Sequence, residues 1–153
     1  MSLEIERKYL VENSGYKTMA TGSKFISQGY LNTDPERTVR IRTYADHGFI
    51  TVKSKNSGST RHEWEYEVPY ADAVEMLALC DNVIEKRRWI VPYAGHCWEV
   101  DEYGGHLHGL VVAEVELESE DEAVNLPDFA GREVTGDVRY YNSSLSSCRQ
   151  IPQ

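Results

Sequence analysis

Ionisable residues recur at every second position of this chain, run after run. The first run sets Glu4, Glu6 and Lys8 between Leu3, Ile5, Arg7 and Tyr9. Arg40 and Arg42 follow, then Glu63, Glu65 and Glu67, Lys86 and Arg88, Glu99 and Asp101, and finally Glu114, Glu116 and Glu118. A period of two is the geometry of a β-strand, whose side chains point to opposite faces in turn. Each run therefore gives a strand with one charged face. The opposite faces are mainly apolar: Val39 and Ile41 back the arginines, Trp64 and Tyr66 the first acids, and Ala113, Val115 and Leu117 the last.

The alternation predicts strands over 2–11, 26–32, 37–46, 48–55, 61–69, 84–92, 96–103 and 110–119. Short links carrying turn chemistry join them: Asp34-Pro35, Asp46-His47-Gly48, Asn56-Ser57-Gly58-Ser59, Ala94-Gly95 and Gly104-Gly105. Links this short favour an antiparallel meander over parallel crossovers. Helical spacing predicts Tyr70–Cys80 as a helix covering the outside of the sheet. Ser119-Glu120-Asp121-Glu122 reads as a cap with acids in the first turn of a short helix. A turn or two over 13–20 and a C-terminal helix over 142–150 complete the expectation.

Apolar inward and charged outward is the ordinary explanation for any one such strand. The set resists it. The charged positions are almost wholly Glu, Asp, Arg and Lys, where sheet surfaces usually carry Thr, Ser and Gln. Acids come as same-face pairs, which repel unless a cation lies between them, and basic pairs sit on other strands. A closed eight-stranded antiparallel β-barrel satisfies all three facts, with a charged tunnel inside and a few helices packed outside, an α+β fold that is mainly β. Such a barrel is just wide enough for side chains or one small ligand. Charge enclosed this way is costly unless paired, hydrated or metal-bound, and is tolerated mainly where it does chemistry. Carboxylates with water suit Mg²⁺ or Mn²⁺, and arginine forks suit phosphate oxygens, so the pattern points to a metal-bound polyphosphate.

Composition narrows the setting. At 153 residues the chain reads as a single domain, 1–153, with 41% hydrophobic and 27% charged residues. A net charge of −9 gives no general attraction to nucleic acid or an anionic membrane. Cys80, Cys97 and Cys148 are odd in number and lack a CxxC, which disfavours a disulfide framework or thiolate zinc site and points to a cytoplasmic protein. No run approaches the roughly 20 apolar residues of a membrane helix, and the N-terminus does not resemble a signal peptide.

The opening Glu4-Ile5-Glu6-Arg7-Lys8 resembles the ExExK signature of the CYTH superfamily, the triphosphate tunnel metalloenzymes. The likeness continues in order through Arg40-x-Arg42, Lys53, Glu63-x-Glu65, Lys86-x-Arg88, Asp101 and Glu114-x-Glu116. The stretches Glu133–Asp137 and Tyr140–Asn142 resemble the short bacterial members, which are similar to tripolyphosphatases. ExExK alone is a weak signal; the ordered series is a specific one.

The resemblance implies an enzyme that hydrolyses a triphosphate, above all inorganic tripolyphosphate, by in-line attack of metal-activated water with release of orthophosphate. It implies Glu4, Glu6, Glu114 and Glu116 as metal ligands, with Asp101 nearby and counted among the candidate ligands. Lys8, Arg40, Arg42, Lys53, Lys86 and Arg88 would grip phosphate oxygens. Glu63 and Glu65 would bind a second metal or orient the water, and Lys8 or Lys86 would protonate the leaving group. Rival readings are a thiamine or nucleoside triphosphatase, a class IV-type adenylate cyclase, and a non-catalytic polyphosphate-binding module. The expected partner is a small triphosphate, and apolar outer faces leave room for a homodimer.

Overall fold

The computed structural model describes residues 2–148 and 150–152. In chain order its elements are β1 (Ser2–Val11), α1 (Tyr16–Met19), β2 (Gly22–Asn32), β3 (Arg37–Tyr44), β4 (His47–Ser54), β5 (Thr60–Val68), α2 (Tyr70–Leu77), β6 (Val83–Tyr93), β7 (His96–Tyr103), β8 (Val111–Glu116), β9 (Ala130–Glu133) and α3 (Asn142–Leu145). The strands form one antiparallel sheet in the order β5-β4-β3-β2-β6-β7-β8-β1, and pairing of β1 with β5 closes it into an eight-stranded barrel. The eight predicted strands are all present.

Strand β1 makes the closure by changing partners along its length. Ser2–Ile5 pair with Thr60–Glu63 of β5, and Glu6–Leu10 pair with Val112–Glu116 of β8. At its far end Tyr9 and Val11 pair with β9, a ninth strand that extends the sheet alongside the barrel. Nothing in the alternation announced β9, because its four residues, Ala-Gly-Arg-Glu, have no apolar face of their own.

The hairpin between β6 and β7 turns at Ala94 (φ 48°) and Gly95 (φ 83°), two consecutive left-handed residues whose twist matches that of paired strands. Between β3 and β4 the turn falls at Ala45 and Asp46, one residue earlier than predicted, with Ala45 at φ 53° and His47 already paired with Tyr44.

Outward-facing apolar residues build the main core. Ile5 and Tyr9, Val91, Trp98 and Val100, and Ala113 and Val115 pack beneath Tyr16, Leu117 and Phe129 from the connecting segments. On the opposite flank α2 lies against β2, β3 and β4. Gly48 permits that approach, since a Cβ there would sit 2.6 Å from the Cβ of Ala73. The helix ends at Leu77, and Ala78 to Cys80 continue only as a tighter turn with i→i−3 bonds.

The inward faces hold a second core at one end of the barrel. One step beyond Lys8, Glu114, Lys86 and Asp101, the inward positions become Leu10, Val112, Ile84 and Tyr103. Tyr140 and Leu145 of the C-terminal segment pack onto them. The tunnel thus has an apolar floor, plugged by α3 and the turn before it. The plug is tied in by Lys8 Nζ donating to the Tyr140 carbonyl (3.1 Å), by Tyr103 Oη donating to Asn142, and by Asn56 donating to Tyr141 Oη (3.0 Å). The predicted helix over 142–150 is helical only across Asn142–Leu145, then turns.

The helix expected from Ser119 does not form. Arg7 takes the carbonyls of Glu120 and Glu122 (2.7 and 2.9 Å), which a helix would need for itself. Glu120 instead accepts from the hydroxyls of Ser59 and Thr60 (3.2 and 2.8 Å), strapping the segment over the β1–β5 seam. Among the described residues no helix is long and apolar enough to cross a membrane.

Candidate active site

Above the floor the tunnel encloses a cavity of about 180 Å³, and its walls are almost wholly ionisable. Eleven of the thirteen residues predicted for the site line it: Glu4, Glu6 and Lys8 from β1, Arg40 and Arg42 from β3, Lys53 from β4, Glu63 and Glu65 from β5, Arg88 from β6, and Glu114 and Glu116 from β8. Strand alternation aims every one of them inward. Tyr44 and Phe49 share that inward face of β3 and β4.

The charges are sorted. Arg40 and Arg42 each place a guanidinium nitrogen on Oε2 of Glu65 (3.1 and 3.2 Å), and Thr51 donates to the same oxygen (2.7 Å). Lys53 reaches Glu63 (3.1 Å) and Glu4 (3.5 Å). Burial works against ionisation of Glu4, but Lys53 and Arg61 outweigh it and hold its pKa down to about 2. Both Arg40 Nε and Arg42 Nε are buried with no acceptor in the structure. A buried N–H without a partner is uncommon, and guanidinium groups lining a cavity suit phosphate oxygens.

Across the tunnel the acids crowd one another. Glu6 faces Glu116 directly across the β1–β8 ladder, and Lys8 faces Glu114. Burial, with the charges of Glu114 and Glu4, pushes the Glu6 carboxyl well above its usual range. Burial also opposes ionisation of Glu114, yet Lys8 and a hydrogen bond from Glu6 hold it well below. The two neighbouring carboxyls are thus pushed in opposite directions. Glu116 and Glu99 are likewise raised, by burial first and then by neighbouring acids.

Carboxyls crowded on one wall mark a place where a dication fits. Among the described residues no three carboxylate, imidazole or thiolate groups already converge on one metal-sized point. A hard cation such as Mg²⁺ keeps several waters and is usually bound through one or two carboxylates plus the substrate's phosphates. Glu4, Glu6, Glu114 and Glu116 are the residues that would hold it.

Lys86 and Asp101 depart from expectation. Neither lines the cavity. Asp101 is 1% exposed and accepts a two-bond fork from Arg88, at 2.8 Å on Oδ1 and 2.9 Å on Oδ2. Lys86 Nζ lies 2.7 Å from Oδ2 and 5.3 Å from the centroid of the Tyr103 ring. Both oxygens of Asp101 are therefore committed to cations, which leaves it aiming Arg88 instead of ligating a metal. Lys86 is one layer behind the wall, its pKa lowered to about 8 by burial and then by Arg88, against the pull of Asp101.

Three lining residues were not in the predicted set: Arg61, Glu99 and Asn142. Arg61 donates to Glu4 (3.1 Å) and Glu99 accepts from Arg88 (3.3 Å). Both were readable, since Arg61 shares its face with Glu63 and Glu65, and Glu99 with Asp101. Asn142 was not, because it arrives on the plug. Of the tryptophans expected in outer packing, Trp98 is fully buried and Trp89 packs beside it, while Trp64 stays half-buried against His62.

Comparison with known proteins agrees with this geometry. The family model described as CYTH domain matches residues 2–147. The chain belongs to the CYTH domain family. A relative from Acetivibrio thermocellus named inorganic triphosphatase is 46% identical over 147 residues, 95% of this chain and 94% of its own. Another so named, from Nitrosomonas europaea, is 36% identical over 152 residues, 94% and 96% of the two chains. Among solved structures, the inorganic triphosphatase NE1496 superposes with a TM-score of 0.68 at 32% identity, covering 100% of this chain and 99% of its own. The PH1012 protein of Pyrococcus horikoshii shares the CYTH chain's fold, with a TM-score of 0.61 at 21% identity over 77% and 81% of the two chains.

Proposed function

We propose that this CYTH protein is a divalent-metal-dependent inorganic triphosphatase that hydrolyses tripolyphosphate to orthophosphate and pyrophosphate. The observation that carries the reading is the tunnel cavity in which Arg40, Arg42, Lys53 and Arg88 line the same space as the crowded carboxyls of Glu6, Glu114 and Glu116. Two full-length relatives named inorganic triphosphatase support it.

In this reading Arg40, Arg42, Lys53 and Arg88 bind and orient the phosphates, with Arg61 as a further cation at the closed end. A dication held by Glu4, Glu6, Glu114 and Glu116, Mg²⁺ or Mn²⁺, would neutralise substrate charge and make a water more acidic. Glu63 and Glu65, on β5, orient the attacking water once phosphate takes over their cations. Lys8 faces the cavity and is the residue we assign to the leaving oxygen. Positioning and charge neutralisation do most of such a reaction. The plugged floor shields the reacting phosphate from solvent on one side. The free cysteines fit a cytoplasmic setting.

Phosphate release from tripolyphosphate, thiamine triphosphate and ATP, each with and without Mg²⁺ or Mn²⁺, tests the proposal. Tripolyphosphate should be turned over fastest and only with metal. Faster release from an organic triphosphate, cyclic AMP from ATP, or metal-free turnover would each replace it.

A further inference from the structure

Three tunnel arginines must present their donors to a substrate that displaces some of their own partners, and they are anchored differently. Arg88 is fixed by the Asp101 fork behind the wall. Arg40 has Thr51 Oγ1 (3.2 Å) besides Glu65. Among the described residues the hydrogen bond of Arg42 goes only to Glu65 Oε2 (3.2 Å), an oxygen it shares with Arg40 and Thr51. A phosphate oxygen taking that nitrogen would leave Arg42 without its hydrogen-bonded anchor in the protein.

What remains beside it is aromatic. The Arg42 guanidinium carbon lies 5.6 Å from the ring centroid of Phe49 and 5.8 Å from that of Tyr44. Phe49 is the direct cross-strand partner of Arg42, and Tyr44 stands two residues along on the same face. Both rings are thus fixed by backbone register, within the roughly 6 Å at which a ring face attracts a guanidinium. Unlike a carboxylate, a ring does not compete with phosphate for the donors.

We propose that Phe49 and Tyr44 are positioning residues for Arg42, holding its guanidinium toward the cavity while phosphate replaces Glu65. The inference rests on the triphosphatase reading and on Arg42 as a phosphate-binding residue. It makes the lip of the β3–β4 hairpin part of the substrate site, although neither ring touches phosphate.

Steady-state kinetics on tripolyphosphate with Mg²⁺ test it, using Phe49→Leu, Phe49→Tyr, Arg42→Ala and the Arg42→Ala/Phe49→Leu pair. Leucine keeps the apolar volume and removes the ring, so Phe49→Leu should raise KM roughly three- to tenfold and change kcat less than about twofold. Phe49→Tyr should restore KM. In the Arg42→Ala background Phe49→Leu should add nothing further. The same fold change with and without Arg42, or an unchanged KM in Phe49→Leu, overturns the positioning role. If Arg42→Ala itself leaves KM unaltered, the phosphate-binding assignment of Arg42 fails instead. Should Phe49→Leu not fold, Tyr44→Leu, at a half-buried position, reads out the same coupling.

Discussion

Lys86 and Asp101 are two opposite charges that the barrel wall hides almost completely, and their value lies in what they do to Arg88. Removing one partner of a buried ion pair leaves the others uncompensated, a loss of about 3–5 kcal/mol. Asp101→Asn should therefore lower stability by about that amount in chemical denaturation and cut kcat/KM at least tenfold. A change below about 1 kcal/mol would mean that water already screens the pair. Lys86 adds a pH signature. Its folded pKa is about 8 against 10.5 ordinarily, so the cost of its burial is fully felt below pH 8. That cost is relieved as pH climbs toward the ordinary value, where the unfolded chain gives up the proton too. Over the same climb the wall loses a positive charge, so KM for tripolyphosphate should rise through pH 8. Lys86→Met should abolish that rise, giving a high, flat KM.

Among the elements, the plug is the one whose importance its sequence conceals. Leu145 is fully buried on the tunnel floor. Leu145→Ala should cost about 2–5 kcal/mol by denaturation, as deletion of a large core side chain does. If the loss is near zero, the floor is held by β-strand residues alone. The eight barrel strands were legible because each carries its own period-two signal, strong in Arg40–Arg42 or Glu114–Glu116. The ninth strand, the plug and the strap over the β1–β5 seam carry none. They are held by partners far along the chain: Tyr9 and Val11, Tyr103 and Lys8, and Arg7, respectively. Local propensity misled at Ser119, where tertiary bonds from Arg7 won the carbonyls. The site divides along the same line. Residues on alternating strands were found, whereas the different duties of Arg88's neighbours, Asp101 behind the wall and Glu99 on it, depended on depth, which period two does not encode.

At the scale of the whole molecule, the protein is strongly acidic yet encloses a cluster of cations, and its acids repel one another in the absence of metal. Anything that binds the folded state alone stabilises it by mass action, about 2.7 kcal/mol at a hundredfold excess over Kd. Millimolar Mg²⁺ should accordingly raise the melting temperature in a scanning experiment. Glu6→Gln removes one of the crowded carboxylates, so its metal-free form should melt higher than the parent and gain less from Mg²⁺. Equal gains in both would remove Glu6 from the ligand set.

The divided allegiance of β1 bears on how the chain reaches its shape. The partners of β1 lie 57 and 110 positions further along the chain, at Glu4–Arg61 and Glu6–Glu116. The ring cannot close before β8 has been made, and until then two bare edges stay available to other chains. Such distant contacts are slow to assemble. A nascent chain halted before β8 should be conspicuously sticky, and adding back a peptide spanning residues 111–116 should quiet it.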